Sequence, residues 1–374
     1  MRKHMTAAWT LRRVTRPGLL AALAILAAGA AQAQVTTDFP SRGAEQEVLS
    51  IHAATDLAAM RPLILDFQEA NPGLRVAFVE YVTNDLYAAA SEACRSGRVI
   101  GDILLSSSVD QLVRLANDGC AHNVDPPNAA ALPRWAKWRG DVFGFTFEPV
   151  VFVYNRKLVP PDAVPKTHLE LADRLRLEPE TYRGRVGTYD IRLSGIGYLL
   201  AFNDALQTTT TYGRLLEGLG RAAVVVRCCT SEILDEVEAG RVLIGYNMLA
   251  SYAYARMRAG ADIGIVMPAD YTLVLSRGAM IPNGAPHLSA ATRFLDYLLS
   301  PRGQTTAREK AFFFGFDGQA PPDIEGASAI MQTGIGRPIA IGPALLAVQD
   351  DQRRGRFLGE WSRSMVDIGA SGSQ

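Results

Sequence analysis

The residues of this sequence best suited to chemistry are short polar clusters that each follow an expected strand and precede an expected helix. They are Thr55-Asp56, Ser106-Ser107-Ser108, Ser194-Gly195-Ile196-Gly197 and Cys229-Thr230-Ser231, with Tyr246-Asn247 and Ser251-Tyr252 at a further turn. Each offers hydroxyls beside the unpaired N–H groups of a helix start, where the positive end of the helix dipole favours anions. A serine or threonine there also serves as an ordinary helix cap. Two features go beyond capping. One cap needs one hydroxyl, and here three serines stand in a row. Ser194-Gly195-x-Gly197 combines a hydroxyl with two positions that let a ligand approach the backbone. The candidate ligand-binding set is therefore Thr55, Ser106, Ser107, Ser108, Ser194, Gly195, Ile196, Thr230, Asn247 and Tyr252. Asp56 could bind a cation, and helix capping is its simpler role.

Catalysis finds little support. A serine hydrolase would need a Gly-x-Ser-x-Gly elbow, and Arg192-Leu193-Ser194-Gly195-Ile196 lacks the first glycine. His52, His122, His168 and His287 have no companion at metal-ligand spacing, so no metal or cofactor is expected. Of four cysteines, Cys94 and Cys120 are a candidate disulfide, with buried free thiols as the alternative. Cys228 and Cys229 are neighbours and are left open between free and bridged.

The frame that positions these clusters reads as α/β. Residues 1–33 form an export signal: a basic start (Arg2, Lys3, Arg12, Arg13, Arg16), a short apolar core from Leu19 to Ala30, and a small-x-small site predicting cleavage after Ala33. The chain has 374 residues with 38 basic and 38 acidic. Removing the five basic residues above leaves 33 against 38, a net charge of −5, which argues against nucleic acid. Val35 to Gln46 reads as a loose arm. Strands and helices then alternate from Glu47, which implies mostly parallel sheets flanked by helices. Gly144 to Asn155 is almost wholly β-branched and aromatic. Its second half is continuously apolar, and Glu148-Pro149 interrupts it. It reads as a crossover between two lobes, with the site in the cleft between them. The expected organisation is 47–146 for lobe 1, 147–269 for lobe 2, and 270–374 for the return to lobe 1 with a helical tail.

The order of several motifs resembles that of type II periplasmic binding proteins, in the branch that includes ferric-ion binders. They are Ala70-Asn71-Pro72-Gly73, Gly101-Asp-Ile-Leu-Leu-Ser-Ser107, the crossover Phe145 to Asn155, Ser194-Gly195-Ile-Gly-Tyr198, Gly240-Arg-Val-Leu-Ile-Gly-Tyr-Asn247 and Leu298-Leu-Ser-Pro-Arg-Gly-Gln304. The resemblance implies a monomer that captures a small molecule between its lobes in the periplasm. It would pass that molecule to an inner-membrane ABC permease, or report it to a sensor kinase. Ferric binders of the branch use a histidine after the first strand, a glutamate after the third and adjacent tyrosines. Here those places hold Thr55 or Asp56, one of Ser106 to Ser108, and Tyr252 and Tyr254 separated by Ala253. The substitution points to an anionic organic ligand, a carboxylate, phosphate ester or phosphonate, with ferric ion as the alternative.

Overall fold

The computed structural model describes residues 35–370 except 325, 328, 329 and 331, with no account of the side chains of 366–370. The expected export signal lies outside the described residues. Two sheets organise the rest. The first holds β1 (Val35–Phe39), β2 (Glu47–Ala54), β3 (Leu74–Glu80), β4 (Ile103–Ser106), β5 (Lys137–Trp138) and β6 (Val142–Gly144). The second holds β7 (Glu148–Asn155), β8 (Val186–Tyr189), β9 (Val225–Arg227), β10 (Ile244–Leu249), β11 (Ile263–Val266) and β12 (Thr272–Leu275). Strand β13 (Gly278–Met280) returns to the first sheet, and β14 (Gly336–Pro338) rejoins the second.

Helices α1 (Leu57–Ala70), α2 (Thr83–Arg95) and α3 (Val109–Asn117) follow β2, β3 and β4. In the second lobe come α4 (His168–Leu177), α5 (Pro179–Tyr182), α6 (Gly195–Gln207), α7 (Thr209–Arg221), α8 (Thr230–Glu238) and α9 (Ala250–Arg258). The tail carries α10 (Leu288–Leu299), α11 (Pro301–Thr306) and α12 (Asp351–Ala370). Among the described residues no helix is long and apolar enough to cross a membrane.

Apolar spacing accounts for these elements. In β2, Leu49, Ile51 and Ala53 alternate into one core. Met60, Ile64 and Phe67 of α1 recur at helical spacing and meet them there. Strand β7 is buried along nearly its whole length, because β12 and β10 flank it in the sheet and β11 also pairs with it. That explains the continuous apolar run of residues 150–154, of which only Tyr154 is half-buried.

The sheets are mixed. Pairing is parallel for β3, β2 and β4 and for β10, β8 and β9. It is antiparallel where β1, β7, β11 and β13 join. Val35 to Phe39 corrects the loose-arm expectation: it pairs antiparallel with β3 in register from Val35–Glu80 to Phe39–Val76.

The chain leaves the first sheet through Phe145–Phe147. It returns at Ser276-Arg277, later than the expected Asp270, because Thr272–Leu275 still pairs with β7 and β14. A third passage follows. After β14 the Ile341 N–H donates to the Trp135 carbonyl at 2.7 Å, back in the first lobe. The Gln349 amide donates to the buried carboxylate of Asp110 on α3. Tyr198 on α6 donates to the Val348 carbonyl at 2.9 Å. Helix α12 then lies on α7, with Phe357 stacked on Tyr212 at 5.9 Å. The tail is thus a strap across both lobes.

Candidate functional site

The carboxyl ends of the parallel strands face one another, as open α/β sheets arrange their ligand sites. Between them is a cavity of about 60 Å³. From the first lobe it is lined by Asp56 after β2, Tyr81, Val82 and Thr83 after β3, and Ser107 after β4. From the second come Ile196, the Cys228-Cys229-Thr230-Ser231 turn after β9, and Tyr252 on α9. Arg277, on the return crossover, also lines it.

Arg277 and Glu148 lie on the two crossovers and are 1% and 0% exposed. The guanidinium grips the carboxylate twice, Nε to Oε1 at 2.5 Å and NH2 to Oε2 at 3.2 Å. Its NH1 donates to Thr55 Oγ1 at 3.0 Å. Thr146 and Ser251 donate to the same carboxylate. The ring centroid of Tyr252 lies 5.0 Å from the guanidinium carbon. Burial opposes the charge on Arg277, but the Glu148 carboxylate outweighs it and holds the guanidinium above its ordinary pKa. A charged pair buried with this many partners is satisfied, and it fixes how the two crossovers meet.

The lobes touch directly at the rim. The Gly195 N–H donates to Thr83 Oγ1 at 2.9 Å, Asn84 Nδ2 to the Leu193 carbonyl at 2.7 Å, and the Asp56 N–H to Tyr252 at 3.3 Å. A Cβ on Gly195 would come within 2.5 Å of Ser108 Oγ and 2.7 Å of Gln111 Nε2, so this approach requires glycine. The hydroxyl of Ser108 is buried there without a hydrogen-bond partner among the described residues.

Of the residues singled out in the sequence, Ser107, Ile196, Thr230 and Tyr252 meet around the cavity, and Thr55 is tied to Arg277 beside it. Ser108 packs against Gly195 with its hydroxyl unpartnered among the described residues, and the rest are engaged elsewhere. Ser194 is fully buried, and its Oγ accepts the Gly197 N–H at 3.1 Å, an ordinary cap. The Gly195 N–H is taken by Thr83. Ser106 Oγ accepts the Ser108 N–H at 3.1 Å. Asn247 turns away: it sits at a β-bulge with φ +65°, and its amide donates to the buried Asp204 at 2.6 Å. Tyr246 and Tyr271 donate to the same carboxylate, whose pKa burial raises. Asp56 precedes α1 without a side-chain cap bond; instead Glu80 Oε2 accepts the Leu57 N–H at 3.1 Å.

Sequence reasoning missed Arg277, Tyr81, Thr83 and Asn84. Only Arg277 left a signal, as a lone charge between two apolar strands.

Cysteine pairing is settled for both pairs. Cys94 and Cys120 are joined with Cα atoms 5.7 Å apart, tying the end of α2 to the loop after α3. Cys228 and Cys229 are joined to each other. Beside the cavity, His52 Nδ1 pairs with the Tyr81 hydroxyl at 2.8 Å, and burial lowers the His52 pKa to about 4.

Two crossovers, facing strand ends and a cavity between lobes define a type II periplasmic binding protein. The chain belongs to the bacterial extracellular solute-binding proteins, whose family model matches residues 49–313. A substrate-binding protein of an ABC transporter from Agrobacterium tumefaciens is similar at 31% identity and TM-score 0.81, covering 89% of this chain and 98% of that one. Iron-bound HitA from Pseudomonas aeruginosa shares the fold at 20% identity and TM-score 0.64, covering 87% of this chain and 100% of its own. So does AfuA from Actinobacillus pleuropneumoniae, determined with fructose-6-phosphate, at 17% identity and TM-score 0.65, covering 86% and 99%.

Proposed function

We propose that this chain, exported and freed of residues 1–33, acts in the periplasm as a monomer. It captures a small acidic organic solute, a carboxylate, phosphate ester or phosphonate, and delivers it to an inner-membrane ABC permease. The observation that carries this reading is the make-up of the cavity. Ser107 and Ser231 line its two walls, the start of α8 opens onto it, and Arg277 lines it too. Hydroxyl and helix-start donors suit anionic oxygens. Asp56, on the first-lobe wall, accepts a hydroxyl of the same solute. A sugar phosphate, the kind of solute found in AfuA, combines both groups.

Iron, which is bound in HitA, fits less well as the ferric ion. A hard trivalent cation needs anionic oxygens. The phenols of Tyr81 and Tyr252 are pushed up by burial and resist ionising. Among the described residues no group of three His, Asp or Glu side chains converges in the cleft.

A cavity of about 60 Å³ falls well short of the roughly 300 Å³ or more of an ordinary small-molecule pocket. The solute therefore enters an opened form, and the lobes close on it about the crossovers. The test is a melting-temperature panel of hydroxycarboxylates, sugar phosphates, phosphonates, neutral sugars and ferric citrate. An acidic organic solute should raise the melting temperature by mass action. A response to ferric citrate alone, or to neutral sugars alone, would sink the proposal.

A further inference from the structure

The second-lobe wall of the cleft contains a group that anion binding does not use. Cys228 and Cys229 form a disulfide between the end of β9 and the start of α8, and both line the cavity. In the first turn of α8, Glu232 reaches back so that its Oε2 accepts the Cys228 N–H at 3.2 Å. The two sulfurs and a Glu232 oxygen lie within 4.8 Å of one another. Both cysteines are partly exposed and Glu232 is exposed, which leaves the cluster open to reagents.

We propose that this pair, once reduced, is a site for one thiophilic divalent cation of the zinc and cadmium class, held by the two thiolates and Glu232. Reduction takes two electrons and two protons from a dithiol, which leaves as its own disulfide, and gives two thiols. Binding the cation then releases the two thiol protons. The thiolate is the metal ligand, so the oxidised pair does not bind. Cys229 occupies the N-cap position of α8, where the helix dipole favours a thiolate. Bonds of about 2.3 Å to sulfur and 2.0–2.2 Å to oxygen keep two ligands of one zinc within about 4.6 Å of each other; the sulfurs, bonded to each other here, part on reduction, and with Glu232 in the next turn they supply three ligands near that spacing. Three protein ligands leave a fourth position for water or an oxygen donor. If the disulfide only braces the turn, the reduced protein will ignore the metal.

The test uses the full chain reduced with a phosphine, freed of reductant without oxygen, and titrated with cadmium. A thiolate-to-cadmium charge-transfer band should saturate at one ion per chain. It should be absent from the oxidised protein and from the Cys228→Ser/Cys229→Ser variant. Glu232→Gln should bind more weakly by at least the roughly tenfold that even an outer-sphere partner costs. Reduced Cys94 and Cys120 also present thiols, so wild-type protein is alkylated with and without cadmium and mapped by peptide mass. Protection of Cys228 and Cys229 alone supports the site without relying on a variant. No band in the reduced chain, or protection confined to Cys94 and Cys120, overturns the proposal.

Discussion

Arg277 shows how one residue can hold two lobes in register. Its guanidinium is the link between the outgoing crossover at Glu148, the return strand, and Thr55 at the end of β2. Removing it leaves a carboxylate buried without its charge partner. Arg277→Met should therefore lose about 3–5 kcal/mol of stability in urea unfolding. Adding Glu148→Gln should restore most of that, because a neutral amide tolerates burial better. Equal stability of Arg277→Met and wild type would show that the pair is not structural. Ser194 makes the opposite point. From sequence it was the leading ligand contact, yet its hydroxyl caps α6 out of reach of solvent. Ser194→Ala should cost about 1 kcal/mol of stability, the usual worth of a cap, and leave solute affinity unchanged. Paired melts and calorimetric titrations separate these effects. A hydroxyl before a helix reads the same in sequence whether it serves the helix or a ligand. Only the cavity's position distinguishes Ser194 from Ser107.

At the scale of elements, periodicity was a sound guide wherever a face is buried. The helix α1 and the strands β2 and β7 follow their apolar spacing closely. Val35–Phe39 was missed because only Phe39 is buried; the strand is held by backbone pairing with β3, which leaves no side-chain pattern. The strap was equally silent. Its anchors, Gln349 to Asp110 and Tyr198 to Val348, join positions 239 and 150 residues apart. Asp110 also gives the strap a pH dependence. It is fully buried, one of its oxygens has no partner among the described residues, and burial lifts its pKa to about 6 despite the Gln349 hydrogen bond and the nearby Arg354. A carboxyl whose folded pKa is raised stabilises the fold when protonated, and that stability is lost as pH rises from about 4 through about 6. Asp110→Asn should thus gain on wild type as pH climbs over that window. The rise from about 4 to about 6 corresponds to roughly 2–3 kcal/mol at pH 7. Melting curves from pH 4.5 to 7.5 check this; parallel curves for the two proteins would refute it.

At the scale of the molecule, the two-lobed plan was legible because it is written in the order of strands, turns and helices. Gly144 to Asn155 betrayed the crossover through composition alone. The direct rim contacts were not legible. Thr83 and Gly195 are 112 residues apart, and neither sequence neighbourhood hints at the other. The central claim is that one small acidic solute is held by both walls of this cleft at once. The direct measurement is calorimetric titration of the solute that most raises the melting temperature, against wild type, Ser107→Ala and Ser231→Ala. These variants remove one hydroxyl from each wall. A hydrogen bond to a charged group contributes about 1.5–3 kcal/mol, so each should bind about tenfold or more weakly at unchanged one-to-one stoichiometry. Unchanged affinity in both would put the solute elsewhere and contradict the account.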